Sequence, residues 1–307
     1  MKFTKMQGAG NDFIIIDNRE YGLTEAELSA LAARVCKRRV SIGADGLMAV
    51  DADRPAGAGE PETAGGSFDA GEEPCNFRMT YFNADGSLGE MCGNGARCIS
   101  RYGYEHGLAG ADGKMRIRTT AGIVLGERID QRNYRIRLND VTTLDLDRTF
   151  FACGRVYQAD YIELGDPGLP HLAVAIPRLA KINGPDKSEL FEIGRTLRHD
   201  ASLPKGANVN FYEITGPDEI YELTYERGVE DFTLACGTGT GSVVSALTAK
   251  GLVSGQGVRV RMGGGTLVID AVKKSAPDGS ACITDLYLTG PTNIVAAGEI
   301  LDEELSL

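Results

Sequence analysis

Residues 91–95 read Met-Cys-Gly-Asn-Gly, and residues 235–239 read Ala-Cys-Gly-Thr-Gly. Each stretch follows a Thr-Tyr pair, at 80–81 in the first case and at 224–225 in the second. The two Thr-Tyr pairs and the two cysteines are both 144 positions apart, so the two frames align without a gap. This duplication predicts two related halves that each present one thiol. Two thiols on opposite faces of one carbon can remove a proton from one side and return it to the other, which is the chemistry of a cofactor-independent racemase or epimerase.

The duplication continues on both sides of the cysteines. Residues 10–13 have a weaker counterpart in Gly168-Leu169-Pro170-His171, and Gly43-Ala44-Asp45-Gly46 has one in residues 206–209. The Arg-x-Arg pattern that follows the first cysteine is also found after the second. All of these pairs occur in the same order. One repeat of about half the chain predicts two similar domains rather than a solenoid of short units.

The first half carries an insertion. Residues 43 to 80 span 37 positions while their counterparts, 206 to 224, span 18, so the first half holds 19 additional residues. We place them within 51–74, which is rich in Gly, Pro, Ala and acidic residues and has Phe68 as its one aromatic residue. Such a segment cannot bury enough apolar surface to offset the entropy of ordering it, so we expect a mobile surface loop.

Composition argues against several kinds of partner. A formal net charge of −11 over 307 residues disfavours nucleic acid. The apolar run at 13–16 is far too short for a signal peptide or a membrane span, which indicates no membrane partner. Seven scattered cysteines without a secretory signal favour a reduced, cytoplasmic protein. Three histidines and no Cys-x-x-Cys pair argue against a metal site.

Both cysteines are predicted to precede a helix. Residues 239–250 are small or apolar on nearly every face, which is typical of a buried helix, and Lys250-Gly251 supplies a C-terminal stop. Residues 95–102 can form the equivalent helix in the first half. The helix dipole and the unpaired first-turn N–H groups would lower the pKa of each thiol and hold an anionic carboxylate.

The sequence resembles one known family. The residues that carry the resemblance lie in Gly8–Phe13, Phe82–Gly86, Met91–Cys98, Tyr225–Gly228 and Ala235–Gly239. They are similar to the motifs of the diaminopimelate epimerase family, and the similarity runs from Lys5 to about Pro291.

The resemblance implies an α+β fold of two pseudo-symmetric domains, each a central helix wrapped by mostly antiparallel strands, with the active site in the interdomain cleft. The expected domains are 1–138 with 292–307, carrying Cys92, and 139–291, carrying Cys236. Members of the family are cytoplasmic, use no pyridoxal phosphate or other cofactor, and are typically homodimers. Their small-molecule substrate is an amino acid, since they interconvert LL- and meso-2,6-diaminoheptanedioate in lysine and peptidoglycan-precursor biosynthesis.

The resemblance also implies roles for individual residues. Cys92 and Cys236 would be the acid and base that exchange roles with the configuration of the substrate. The amides expected to hold the reacting carboxylate belong to Gly93, Asn94, Gly237 and Thr238. The residues expected to bind the amino groups and the distal carboxylate are Asn11, Asn83, Asn208, Glu226 and Arg227. His171 is expected to help orient ligands near Glu226.

Two positions depart from the family pattern. Leu169 stands where the family has an asparagine that would contact the distal centre of the substrate, and Gly46 stands where some relatives have glutamine. These changes leave the proton-transfer residues intact and weaken the case for one particular substrate.

Other functions therefore stay open at this point. The nearest is a related cofactor-independent amino-acid racemase, of the histidine or the proline type. A thiol redox protein would use Cys92 and Cys236 without needing Asn11, Asn83, Asn208 or Arg227. A binding module would tolerate serine at both cysteines.

Overall fold

A computed structural model describes residues 1–53, 74–89, 93–182, 184–275, 281–301 and 303. The chain divides into two compact units. Unit 1 comprises Met1–Ile136 and Pro291–Leu307, and unit 2 comprises Arg137–Gly290. Among the described residues no helix is long and apolar enough to cross a membrane.

Unit 1 is a sheet with two helices. Its strands, in chain order, are β1 (Lys2–Gly8), β2 (Asn11–Asp17), β3 (Gly46–Asp51), β4 (Phe77–Asn83), β5 (Lys114–Thr119), β6 (Gly122–Arg128), β7 (Asn133–Arg137) and, from the end of the chain, β17 (Asn293–Glu299). Its helices are α1 (Glu25–Val35) and α2 (Gly93–Glu105). The strands pair in the order β17-β1-β2-β3-β4-β5-β6-β7. The β2–β3 and β4–β5 pairs are parallel, and the other pairs are antiparallel.

Unit 2 repeats this arrangement. Its strands are β8 (Val141–Ala152), β9 (Arg155–Leu164), β10 (Leu169–Ala175), β11 (Asn208–Gly216), β12 (Glu219–Glu226), β13 (Asp231–Thr233), β14 (Val258–Met262), β15 (Gly265–Ser275) and β16 (Ala281–Pro291). Its helices are α3 (Gly184–Arg198) and α4 (Gly237–Lys250), with a short 3-10 helix at Leu179–Lys181. The order β8-β9-β10-β11-β12-β14-β15-β16 has the same succession of parallel and antiparallel pairs as unit 1. The short strand β13 adds to β12 beside β14.

Both central helices are buried, α4 with small and apolar residues and α2 with two arginines, Arg97 and Arg101, among its buried residues. Every residue of α2 from Gly93 to Gly103 is buried, and in α4 only Thr238 and Lys250 are partly exposed. Helix α2 packs against β1, β2 and β6, and α4 packs against β8, β9, β10, β11 and β15. Helix α4 ends at Gly251, which takes the left-handed conformation with φ of 72°, as the sequence predicted. The predicted α+β class with a central helix in each of two repeated domains is confirmed.

Strand β2 shows why the run at 13–16 has no polar alternation. Phe13 and Ile15 pack in the cluster around α2, while Ile14 and Ile16 pack in the cluster around α1. A helix therefore covers each face of the strand, and both sets of side chains are buried. Most of the expected loop at 51–74 lies outside the described residues, so its mobility stays a prediction.

Candidate active site

In unit 1, two predicted substrate-binding asparagines lie at one end of the sheet. Asn11 is the first residue of β2 and Asn83 is the last residue of β4. Strand β3 lies between them, parallel to β2 and antiparallel to β4, and Gly46 at its start pairs with both Phe13 and Asn83. The strand directions therefore bring the two asparagines to the same end of the sheet.

Helix α2 begins at this end of the sheet and is held there by a chain of hydrogen bonds that all run in one direction. Arg97 is completely buried, and its Nη2 donates to Asn94 Oδ1 at 2.9 Å. Asn94 Nδ2 donates to Asn11 Oδ1 at 2.6 Å, and Asn11 Nδ2 donates to Asp45 Oδ2 at 3.2 Å. Each amide is thus oriented by the group before it, so a buried cation at one end and a carboxylate at the other set the direction of both asparagines.

Helix α2 begins with Gly93 and Asn94, whose backbone amides lie in its first turn. Cys92 itself lies outside the described residues, as do residues 90 and 91. Its role as one of the two bases therefore stays a prediction from the sequence.

The departure at Gly46 has a steric cause. A Cβ at this position would overlap the Tyr81 ring and the carbonyl oxygen of Phe82. The space that a glutamine would need is therefore filled by Tyr81. Asn83, opposite Gly46, donates from Nδ2 to Ser87 Oγ at 2.9 Å across the turn that follows β4.

In unit 2, Cys236 is the N-cap of α4. It has extended backbone angles, and its sulfur accepts the N–H of Gly239 at 3.4 Å and lies 3.6 Å from Thr238 Oγ1. Gly237 and Thr238 carry the first-turn N–H groups, which lack intrahelical acceptors. The prediction that this cysteine directly precedes a helix is confirmed.

The predicted lowering of the Cys236 pKa is wrong. Burial raises the pKa of the thiol, and the nearby Glu226 carboxylate raises it further. Thr238 and the Gly239 N–H act in the opposite direction without reversing this effect. The sequence argument considered the helix N-terminus and omitted the loss of water around a sulfur in a residue that is 8% exposed. Cys236 is accordingly a neutral thiol at pH 7.

Four further predicted residues meet at the end of strands β10, β11 and β12. His171 pairs directly with Asn208 across the parallel β10–β11 ladder. The backbone N–H of Arg227 donates to Asn208 Oδ1 at 2.8 Å, which ties the end of β12 to the start of β11. Glu226 closes β12, and Arg227 also donates from Nη1 to the carbonyl oxygen of Lys205 at 3.1 Å.

Burial also shifts the pKa values of Glu226 and His171. It raises the pKa of Glu226 from its ordinary value. His171 is fully buried, which lowers its pKa to about 3, and the charge of Arg227 acts in the same direction. The imidazole is therefore neutral at physiological pH.

The sequence reasoning missed three polar residues beneath α4. Asn210, Thr224 and Glu222 are all buried, and Thr224 Oγ1 lies 3.0 Å from Asn210 Oδ1 and 3.3 Å from Glu222 Oε1. A signal was present, because Asn210 follows Asn208 by two positions and Glu222, Thr224 and Glu226 are also two apart. Residues two apart share a face of a strand, so β11 and β12 each have a run of polar side chains on one face. A polar strand face next to the apolar helix α4 could have indicated a buried polar group at these positions.

Leu169 begins β10 and is partly buried, two positions from His171. An apolar side chain therefore stands in the strand that carries His171.

Among the described residues no cluster of His, Cys, Asp and Glu side chains could hold a metal ion.

Comparison with solved structures defines the class of fold. A PhzF-family phenazine biosynthesis protein from Bacillus anthracis superposes with a TM-score of 0.64 at 14% identity, covering 98% of this chain and 99% of that one. A probable proline racemase from Agrobacterium radiobacter K84 superposes with a TM-score of 0.63 at 14% identity, covering 99% and 94%. The chain thus has the fold shared by these proteins.

Sequence comparison places the chain within a family. The family model described as diaminopimelate epimerase matches residues 3–139 and 165–294. The diaminopimelate epimerase of Aquifex aeolicus (strain VF5) is 34% identical over 314 residues, covering 99% of both chains. That of Chlorobaculum tepidum is 33% identical over 298 residues, covering 96% of this chain and 99% of the relative. The protein belongs to the diaminopimelate epimerase family and is an enzyme of the epimerase class, as the sequence motifs predicted.

Proposed function

We propose that the protein interconverts LL- and meso-2,6-diaminoheptanedioate by two-base proton transfer at the α-carbon, in lysine and peptidoglycan-precursor biosynthesis. The observation that carries the proposal is Cys236 at the N-cap of α4, beside first-turn amides and next to Glu226. A proton donor, an anion-binding helix end and a carboxylate for an ammonium group are the parts that an α-amino acid epimerase needs.

The proposed reaction balances with two thiols and no cofactor. A thiolate at Cys92 takes the α-proton as the C–H bond breaks, and the electron pair stays on the α-carbon beside its carboxylate. The Cys236 thiol then gives its proton to the opposite face of that carbon. The product leaves a thiol at Cys92 and a thiolate at Cys236, which is the state that acts on the other isomer. Because burial keeps Cys236 protonated, we assign it the role of acid in the first step.

The binding groups of the proposal differ in charge according to what they hold. The amides of Gly93, Asn94, Gly237 and Thr238 receive the reacting carboxylate, because helix N-termini favour anions. Arg227 receives the distal carboxylate, since a guanidinium matches a carboxylate in two hydrogen bonds. The two amino groups of the substrate bind to the side-chain amides of Asn11, Asn83 and Asn208 and to the carboxylate of Glu226. In the proposal, residues 1–138 with 292–307 form the domain of Cys92, and residues 139–291 form that of Cys236.

The direct test is α-proton exchange in D2O, followed by NMR, on the reduced enzyme with LL-diaminopimelate, histidine and proline in parallel. We expect exchange with diaminopimelate alone, together with formation of the meso isomer. The absence of exchange with diaminopimelate would overturn the proposed substrate.

A second candidate is a related amino-acid racemase that keeps the two-thiol chemistry. Leu169 favours it, because an apolar side chain replaces the amide that the family uses near the distal centre of the substrate. Exchange with histidine or proline in the same experiment, without exchange of diaminopimelate, would select this candidate.

We also propose that the enzyme is a cytoplasmic homodimer. The dimer rests on the family resemblance, and the cytoplasm rests on that resemblance and on seven scattered cysteines. Light scattering coupled to size-exclusion chromatography would measure the mass in solution. A monomer mass at micromolar concentration would contradict the dimer.

A further inference from the structure

Three buried polar side chains of unit 2 form a connected group that the proposed reaction does not yet use. They are Asn210 on β11 and Thr224 and Glu222 on β12, with exposed fractions of 0%, 3% and 1%. Buried polar groups of this kind persist in proteins when hydrogen bonds satisfy them. The direction of each hydrogen bond can be worked out from the groups that only donate or only accept.

The orientation of the Asn210 amide is set by its neighbours. Its Nδ2 lies 3.1 Å from the carbonyl oxygen of Leu172 and 3.3 Å from His171 Nδ1. A carbonyl oxygen only accepts, so the NH2 group faces Leu172 and His171, and Oδ1 faces Thr224 Oγ1 at 3.0 Å. The same Oδ1 touches Gly239, where any Cβ would overlap it.

The two hydroxyl groups near Glu222, those of Thr224 and Thr240, each donate their hydrogen to another oxygen. Thr224 has one hydrogen, and Asn210 Oδ1 needs it because no other donor reaches this oxygen within the described residues. Thr240 also has one hydrogen, which it gives to the carbonyl oxygen of Cys236 at 2.9 Å. Thr224 Oγ1 lies 3.3 Å from Glu222 Oε1. With their hydrogens given to Asn210 and to the Cys236 carbonyl, both hydroxyls turn lone pairs toward the Glu222 carboxyl group in our assignment.

An ionised carboxylate among lone pairs would have no donor, so hydrogen counting requires Glu222 to be a carboxylic acid. Its Oε1 then donates to Thr224 at 3.3 Å. Burial raises the pKa of Glu222 to about 8 and outweighs the opposite effect of the two threonine hydroxyls, so the carboxylic acid prevails at neutral pH.

The other end of the group is His171. Since Nδ1 accepts from Asn210, the hydrogen of the neutral ring must be on Nε2. Nε2 is buried and has no hydrogen-bond partner among the described residues. His171 pairs across the sheet with Asn208, one of the predicted substrate-binding residues.

We infer that Glu222, Thr224 and Asn210 are positioning residues that form a one-directional hydrogen-bond relay, Glu222 to Thr224 to Asn210 to His171. The relay holds His171 in the Nε2–H tautomer, so that the buried ring offers a hydrogen-bond donor and no positive charge beside Arg227. It also seats Asn210 against Gly239, whose N–H caps the Cys236 sulfur. The inference deepens the proposed function and rests on it for its effect on turnover.

The proton positions can be tested without any activity measurement. Nitrogen-15 NMR of the histidine side chains, assigned with His171→Gln, should show a protonated Nε2 and an unprotonated Nδ1 for His171 at neutral pH. Infrared spectroscopy should show a carboxylic acid C=O band that shifts in D2O and is absent in Glu222→Gln. Either the Nδ1–H tautomer or no such band would overturn the relay.

Thr224→Val tests the coupling between the two ends, because valine keeps the volume and removes the hydroxyl. We expect a mixture of His171 tautomers and a fall of about tenfold in kcat, the effect of one lost hydrogen bond, with little change in KM. The matched control is Thr248→Val, which removes a buried hydroxyl on α4 that has no partner among the described residues. It should change neither property.

Glu222→Gln and Glu222→Met separate the relay from simple packing. Glutamine can donate to Thr224 as the carboxylic acid does, so we expect the wild-type tautomer and a kcat within about threefold of wild type. Methionine fills a similar volume without a donor and should behave like Thr224→Val. Equal behaviour of the two variants in the NMR spectrum would overturn the relay. If the enzyme turned over no amino acid, the NMR and infrared results would still decide the inference independently of the proposed function.

Discussion

Cys236 is exposed to opposing influences at the start of α4. The Gly239 N–H and the Thr238 hydroxyl favour a thiolate, whereas burial and the Glu226 carboxylate favour the thiol. The second pair prevails, so the sulfur holds a proton that it can donate when a carbanion forms. An ammonium group bound beside Glu226 would cancel the charge of that carboxylate, and the thiol would then ionise more readily.

Removal of this sulfur gives the first prediction. Cys236→Ala should lower kcat for epimerisation by at least about 1000-fold, because no other group would serve as its acid or base. The secondary structure should stay unchanged by circular dichroism, since alanine at an N-cap costs only about 1 kcal/mol. The control is Cys153→Ala, which changes an exposed thiol. Retention of turnover by Cys236→Ala would refute the two-base scheme.

Arg227 carries the second prediction. Arg227→Lys keeps the charge and loses the planar pair of donors, so we expect a rise of about 10- to 100-fold in KM for diaminopimelate with a smaller change in kcat. Steady-state kinetics measure both constants. Arg195→Lys, an exposed residue on α3 paired with Glu192, is the matched control. An unchanged KM in Arg227→Lys would remove this residue from the distal carboxylate site.

The first turn of α4 depends on close contact with the strand below it. A Cβ at Gly239 would overlap Asn210 Oδ1 and lie 3.2 Å from the Cys236 sulfur. The glycine therefore lets the strand and the helix approach each other. Movement of this turn would displace both the cysteine and the amides that follow it.

Gly239→Ala should consequently destabilise the protein by about 1–3 kcal/mol, the usual cost of overpacking a core. Urea unfolding would measure this change in the free energy of unfolding. Gly216→Ala is the control, because its Cβ would have no neighbour closer than 3.6 Å. Equal stability of the two variants would show that the first turn of α4 tolerates a methyl group.

The sequence predicted helices and strands better than it predicted the contacts that their side chains make. The buried helix that follows Cys236 and its end at Gly251 were found, because a run of small and apolar residues and a glycine stop determine them locally. The relay at Asn210, Thr224 and Glu222 was not found, since it requires side chains from two paired strands to meet under a helix. The Cys236 pKa was predicted in the wrong direction for the same reason, because burial depends on the tertiary structure.

The stability of the whole molecule should depend on pH through Glu222. The pKa of this residue rises from an ordinary value of 4.5 to about 8 on folding. Below pH 4.5 both states are protonated and the stabilisation is complete. As the pH rises toward 8 the unfolded chain releases the proton that the folded protein retains, so the free energy of unfolding falls by up to about 1.4 kcal/mol per pH unit.

The measurement is urea unfolding at several pH values between about 6.5 and 8. His171 adds a slope of opposite sign near pH 6.5, because its ordinary pKa of 6.5 makes the unfolded chain bind a proton that the folded protein does not. This slope is the same in the wild type and in Glu222→Gln, so it cancels when the two proteins are compared. Glu222→Gln should be less dependent on pH than the wild type. Identical slopes for the two proteins would show that Glu222 is not protonated in the folded state.

The repeat itself was readable from the sequence, because both halves kept the Cys-Gly-x-Gly element and its distance from the Thr-Tyr pair. The succession of strand pairings in the two units matches along its full length, which short motifs alone do not reveal. Direction and register arise from contacts between distant segments, so they became visible only in the fold.

The pairing of β17 with β1 has a consequence for biosynthesis. Unit 2 is one continuous segment, Arg137–Gly290, whereas the sheet of unit 1 is completed by a strand that begins at Asn293. At ribosomal rates of about 5–20 residues per second, roughly 15 to 60 seconds separate the synthesis of β1 from that of β17. The side of β1 that β17 covers would stay unpaired during that interval, while all of unit 2 is being translated.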